Sequence, residues 1–149
     1  MIVVAALTLA GCGASQEHQV PVETVASPVA DHTSVFPKPG LTGSRVVPDH
    51  LLGVAKMPGG SLGDYAVKGT NYQLFVIDAG NRQKAAFLLL DLKATLRAPD
   101  YIAYMGGYAG SDGTRDIYVF AKNQYLAGVV GLSRAEAEPV AITLASRLN

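Results

Sequence analysis

Residues 72–96, YQLFVIDAGNRQKAAFLLLDLKATL, decide what kind of fold this chain adopts. The stretch opens β-rich, with aromatic and β-branched residues up to Ile77, and stops at Gly80, which reads as a strand. Asn81 follows as a fair N-cap, since its side-chain oxygen can accept a free N–H of a first helical turn. Beyond it Ala85, Leu88, Leu89, Leu92 and Leu96 recur at helical spacing, so the pattern predicts a helix over 82–96 with one apolar stripe. Pro99 closes it. Phe87 and Leu90 fall off the stripe, which means a helix buried on more than one side or one that faces a partner.

Downstream, DYIAYMGGYAG (100–110) and RDIYVFAKN (115–123) flank the polar turn SDGT, where Gly113 supplies positive φ cheaply. A second turn near Lys122, Asn123 and Gln124 leads into YLAGVVGL (125–132), which gives three consecutive antiparallel strands. Ser133 and Glu136 match a capping box, but Pro139 suits only a first turn, so the main helix is placed from Pro139 through Val140, Leu144 and Leu148. Upstream, 46–67 reads as a short helix or strand, a glycine-rich turn around MPGGSLG, and a strand. The order strand, helix, three strands, helix predicts an α+β domain: a mainly antiparallel sheet with two helices packed on one face.

Residues 12–45 have another character. Pro21, Pro28, Pro37 and Pro39 interrupt small and polar residues, a composition that reads as an extended tether ahead of one domain over 46–149. Before it, residues 2–10, IVVAALTLA, form a short uncharged apolar run of the kind found in export signals, with no Lys or Arg ahead of it. Buried strands share this composition, but the proline-broken segment that follows does not continue a fold.

Leu9, Ala10, Gly11 and Cys12 resemble the lipobox of bacterial lipoproteins, in which leucine, two small residues and a cysteine occupy these places. The resemblance covers the signal alone. It implies that 1–11 is a signal peptide cleaved ahead of Cys12, that Cys12 takes a diacylglyceryl group and an acyl chain such as palmitate, and that the protein is lipid-anchored in the cell envelope. The anchor would hold it outside the cytoplasmic membrane or in the outer membrane facing the periplasm; Gly13 after the cysteine leans toward the outer membrane. Cys12 is the sole cysteine, so an intramolecular disulfide and thiolate zinc clusters are excluded. Twelve basic residues balance twelve acidic ones, without the basic excess that nucleic-acid binding requires.

Catalytic motifs are lacking. His18 and His32 fall in the tether, and His50 stands beside Asp49 with no nucleophile-elbow serine and no H-x-x-x-H spacing. The glycine clusters lack a P-loop ending, and DGTRD, with Asp112 and Asp116, reads as a hairpin turn rather than a calcium loop. The chain thus points to no catalytic residue, no cofactor and no metal. Tyrosines are the more suggestive set. Tyr104 and Tyr108 share strand parity, with Tyr101 on the other face, and make a candidate binding surface for an envelope protein or glycan. The leading expectation is a non-catalytic, membrane-anchored interaction module. Two alternatives stand beside it: a tethered hydrolase using His50, Asp49 and Asp78, and a carrier holding a small apolar ligand near Phe87 and Leu90.

Overall fold

The structure is a computed structural model that describes residues 28–149. Cys12, the leader 1–11 and the first part of the tether lie outside the described residues. Three strands set the architecture: β3 (Thr70–Asp78), β6 (Asp116–Lys122) and β7 (Tyr125–Val130). Each is apolar at successive positions: Leu74 to Ile77, Ile117 to Phe120, and Leu126, Ala127, Val129 and Val130 are all buried. Strand side chains alternate between faces, so strands of this kind need cover on both sides.

They lie at the centre of a seven-stranded sheet with β1 (Leu41–Asp49) and β2 (Pro58–Val67) to one side, and β5 (Gly107–Ser111) and β4 (Arg97–Ile102) to the other. The order is β1-β2-β3-β7-β6-β5-β4, and every neighbouring pair is antiparallel. β3 and β7 pair with Phe75 opposite Gly128, where an added Cβ would meet the Phe75 ring at 2.8 Å. Glycine there lets the ring lie flat against β7.

Helix α1 (Arg82–Lys93) carries the chain from β3 across to β4 at the far edge, and α2 (Arg134–Ser146) follows β7. The α+β class, the antiparallel sheet and the two helices are as the sequence predicts; their placement on one face is not. Leu89, Leu92 and Leu96 pack on Phe75, Ile77, Ile117, Val119, Leu126 and Val130. Ala137, Ala141, Leu144 and Leu148 pack on the opposite set, Leu74, Val76, Tyr118, Phe120, Ala127 and Val129. One helix covers each face because the central strands are apolar on both.

A single helix is too narrow for a seven-stranded face, and irregular segments complete each cover. On the α1 face, residues 50–57 fold over the sheet and bury Leu51 and Met57. On the α2 face the closing residue is Phe36, wholly buried and the only aromatic within 13–45. The 12–45 tether is therefore corrected within the described residues: the fold reaches back past residue 46 to Phe36 and β1. Arg147 Nε donates to the Val35 carbonyl at 2.6 Å, and the Tyr65 hydroxyl donates to the Pro37 carbonyl at 2.7 Å, so polar bonds reinforce the docking.

Local boundaries shift for identifiable reasons. The glycine-rich 58–63 stretch is strand, because Gly59 and Gly60 sit against neighbouring backbone carbonyls where a Cβ has no room. The reading of 100–110 as one strand fails at Ala103–Met105, a single 3-10 turn followed by Gly106 at φ 61°, which reverses the chain between β4 and β5. α1 ends at Lys93, and Pro99 lies in the edge strand β4 at an irregularity between Arg97 and Asp100, where a missing N–H is tolerated. α2 begins at Arg134, not Pro139. Ser133 and Glu136 satisfy two free N–H groups reciprocally, which outweighs the one intrahelical bond that Pro139 forgoes.

Two measurements test this packing. Leu92→Ala should lower stability by about 2 to 5 kcal/mol in urea melts, through lost transfer energy and the cavity left behind. Phe87→Ala should change it little, since Phe87 is 57% exposed. The second concerns Tyr65. Burial, with the neighbouring Tyr72 adding to it, pushes its phenol up to about 12. A phenol raised in the folded state contributes stability that is complete below the ordinary value near 10 and is lost as the pH climbs through the folded value. An alkaline titration of phenolate absorbance should show a component near 12, and Tyr65→Phe should remove it.

Candidate functional site

Asp78, the last residue of β3, gathers partners from two distant segments and from the turn that follows it. Its Oδ2 lies 3.2 Å from His32 Nε2 and accepts from Gln124 Nε2 at 3.4 Å, while its Oδ1 accepts the Gly80 N–H at 2.8 Å. The His32 ring stands edge-on to Tyr125, and its backbone N–H donates to the buried Ser61 hydroxyl oxygen at 2.8 Å. Far from being a solvated tether residue, His32 is half-buried at the top of the sheet. Serine, histidine and aspartate thus meet, but not as a nucleophile triad. In a triad the imidazole bridges hydroxyl and carboxylate. Here the hydroxyl is bonded to the histidine backbone and sealed from solvent, so the cluster clamps the incoming chain.

Beside this clamp a cleft of about 540 Å³ opens between α1 and the 50–57 segment. Met57 and Leu88 form its apolar floor, the exposed Phe87 stands at its mouth, and its rim carries Asp49, His50, Lys56, Asp78 and Lys84. The rim is shaped by backbone: His50 and Leu52 both adopt left-handed φ, at 49° and 60°, and the chain turns sharply back over the sheet. Arg115 pins that turn from the β5–β6 hairpin by donating to the Leu52 carbonyl at 3.1 Å. The hairpin is itself ordered by Asp112. Burial would raise that carboxyl, but the N–H groups of Arg115 and Thr114 and the Arg115 guanidinium outweigh it and hold Asp112 below the usual range.

The residues that sequence singled out for hydrolysis, His50, Asp49 and Asp78, all line this cleft. His50 Nδ1 pairs with Asp49 Oδ2 at 3.2 Å, both well exposed. That pair faces no serine or threonine nucleophile along the cleft, and Asp78 is already engaged by the clamp. Phe87 and Leu90 point outward, 57% and 53% exposed, so they enclose no space between helix and sheet. Among the described residues no three His, Cys, Asp or Glu side chains stand close enough to hold a metal ion.

Tyr104 and Tyr108 do not share a face. The turn at 103–105 breaks the parity count, sending Tyr104 toward Glu138 of α2 while Tyr108 packs on the α1 side. Glu138 raises the Tyr104 phenol by holding its proton. The buried Tyr118 hydroxyl lies beside Tyr104 without making a hydrogen bond of normal geometry, and burial raises it strongly. Tyr108 instead pairs with Tyr101 across β4 and β5, ring centroids 5.3 Å apart, and Lys93 Nζ sits 4.6 Å over its ring. Residues that do share the outer α1 side are therefore Lys93, Tyr108 and Tyr101. The clamp was missed because His32 and Asp78 are 46 positions apart. A local signal existed, since Asp31 accepts the Thr33 N–H at 2.8 Å in an Asx turn just ahead of Phe36.

Comparison with protein-family models, with curated proteins and with solved structures finds no match to this chain.

If the clamp seats the incoming chain, Ser61→Ala and His32→Ala should each speed amide exchange over residues 31–36 while leaving α1 protected. Each should also lower stability by about 0.5 to 1.5 kcal/mol, the usual net worth of such a bond. Hydrogen–deuterium exchange with urea melts measures both.

Proposed function

We propose that this protein is a membrane-anchored lipoprotein of the bacterial cell envelope whose domain is a non-catalytic binding module. Cys12 in the Leu9-Ala10-Gly11-Cys12 motif is the anchor. The cleft beside α1 is the binding site, and the observation that carries it is the pairing of an apolar floor with a charged rim that offers no nucleophile–base geometry. Ligand sites of this build fix a partner by burial and a few polar contacts. A tyrosine surface built on Tyr104 and Tyr108 drops out as the site, because the two lie on opposite faces. Among the described residues no helix is long and apolar enough to cross a membrane, which fits attachment through a lipid.

The second reading, a tethered hydrolase, draws on His50, Asp49 and Asp78 lining one cleft. It is weaker because the Asp78 oxygens are engaged by His32, Gln124 and the Gly80 N–H.

Metabolic labelling with a fatty acid tests the anchor. Wild type should take the label, and Cys12→Ala should take none and leave the membrane fraction, since a diacyl anchor holds far better than the apolar contacts left behind. Equal label on the two proteins would sink the reading.

A further inference from the structure

We propose that the outer face of α1, with the cleft beside it, docks on an anionic phospholipid surface. On a helix of 3.6 residues per turn, Ala85, Leu89 and Leu92 form the buried side, and the side turned furthest from the sheet is occupied by Gln83, Phe87 and Leu90. Leaving a phenylalanine and a leucine at the apex of a surface helix has an energetic cost in water unless something covers them. Cations flank that apex: Lys84 to one side, Arg82 and Lys93 to the other, and Lys56 across the cleft. Four cations stand against three carboxylates, Asp49, Asp78 and Asp91, of which Asp91 pairs with Lys56 at 3.8 Å and Asp78 is turned to His32, so the patch is net positive on a chain whose total charge is zero. The opposite helix differs in sign, with Arg134 against Glu136 and Glu138.

An apolar ridge between basic flanks is how an interfacial helix engages anionic lipid, the ridge entering the acyl boundary and the cations meeting phosphate. Tyr101 and Tyr108 extend the same side beyond Lys93, and amphipathic rings suit that depth. The position of the chain's entry fits too. Pro28 to Ala30 line a recess with Pro58, Ala79 and Gly80, immediately before α1 begins. Fifteen residues lie between Cys12 and Pro28, so sixteen Cα-to-Cα steps give a reach of at most about 55 Å at full extension. This docking deepens the anchored-module reading, since the envelope component engaged by the site becomes the lipid itself. It does not require that Cys12 be acylated.

The test uses the full chain with Cys12→Ser, so that one introduced cysteine carries an environment-sensitive dye. Leu90→Cys places the dye on the α1 ridge; Ile142→Cys places it on an exposed apolar position of α2. Vesicles of phosphatidylcholine alone, and of phosphatidylcholine with about one third phosphatidylglycerol, are added and quenching by aqueous iodide is measured. With anionic vesicles, quenching at position 90 should fall roughly fivefold or more while position 142 stays unchanged, and Arg82→Glu with Lys84→Glu should abolish the protection. These exposed substitutions leave the core intact, which thermal melts check. Equal quenching at the two positions, or protection indifferent to headgroup charge, overturns the proposal. So does a photo-cross-linker at position 87 that yields a protein adduct in the envelope in place of a lipid adduct. Because every variant lacks the Cys12 thiol, failure of the anchor is read separately, from the fatty-acid label.

Discussion

Two-sided burial of the three central strands is the constraint on which the rest of this structure depends. Leu74 to Ile77, Ile117 to Phe120 and the apolar residues of β7 leave no face of the sheet that water could cover at low cost. The chain supplies only two α-helices among the described residues, and each face takes one. A seven-stranded sheet is wider than a helix, so the remaining area has to be closed by segments without regular structure. Residues 50–57 do this on one side and the stretch around Phe36 on the other.

The site is a by-product of that closure. Where the 50–57 segment and α1 share one face, they meet imperfectly, and the cleft lined by Met57, Leu88, Lys56 and Lys84 is the gap between them. On the other side, drawing Phe36 into the core brings His32 over the end of β3, where Asp78 and Ser61 receive it and Gln124 donates to the same Asp78 oxygen. The same covering requirement therefore creates both a recess beside α1 and a clamp at the point where the described chain begins.

Helix α1 has two apolar sides with different fates. Its inner side is spent on the core, and Phe87 and Leu90 remain outside among cations. A sequence reading that treats every leucine as core takes this helix for one enclosed on several sides. In the proposed docking on anionic lipid, the charge flanking the outer ridge is what gives that exposure a purpose, alongside the anchor proposed at Cys12. Anchor, entry point and basic ridge would then act at one surface, with α2 and its glutamates turned away.

By itself the sequence determined the local elements whose signals are contiguous. The β3 strand ending at Gly80, the Asn81 cap, the Ala85–Leu89–Leu92 stripe, the hairpin at Asp112 and the Ser133–Glu136 box all lie within a few residues of their partners, so short-range hydrogen bonding and periodicity reveal them. Tertiary structure alone decided which face each helix covers, that Phe36 belongs to the core, that Pro139 sits inside α2, and that Tyr104 and Tyr108 part company. Each of these depends on pairing between residues far apart in the chain: β3 with β7, His32 with Asp78, α2 with the sheet. Periodicity says that a residue is buried; it carries no term for which of two equally apolar faces will bury it, and only the closure of the whole sheet settles that.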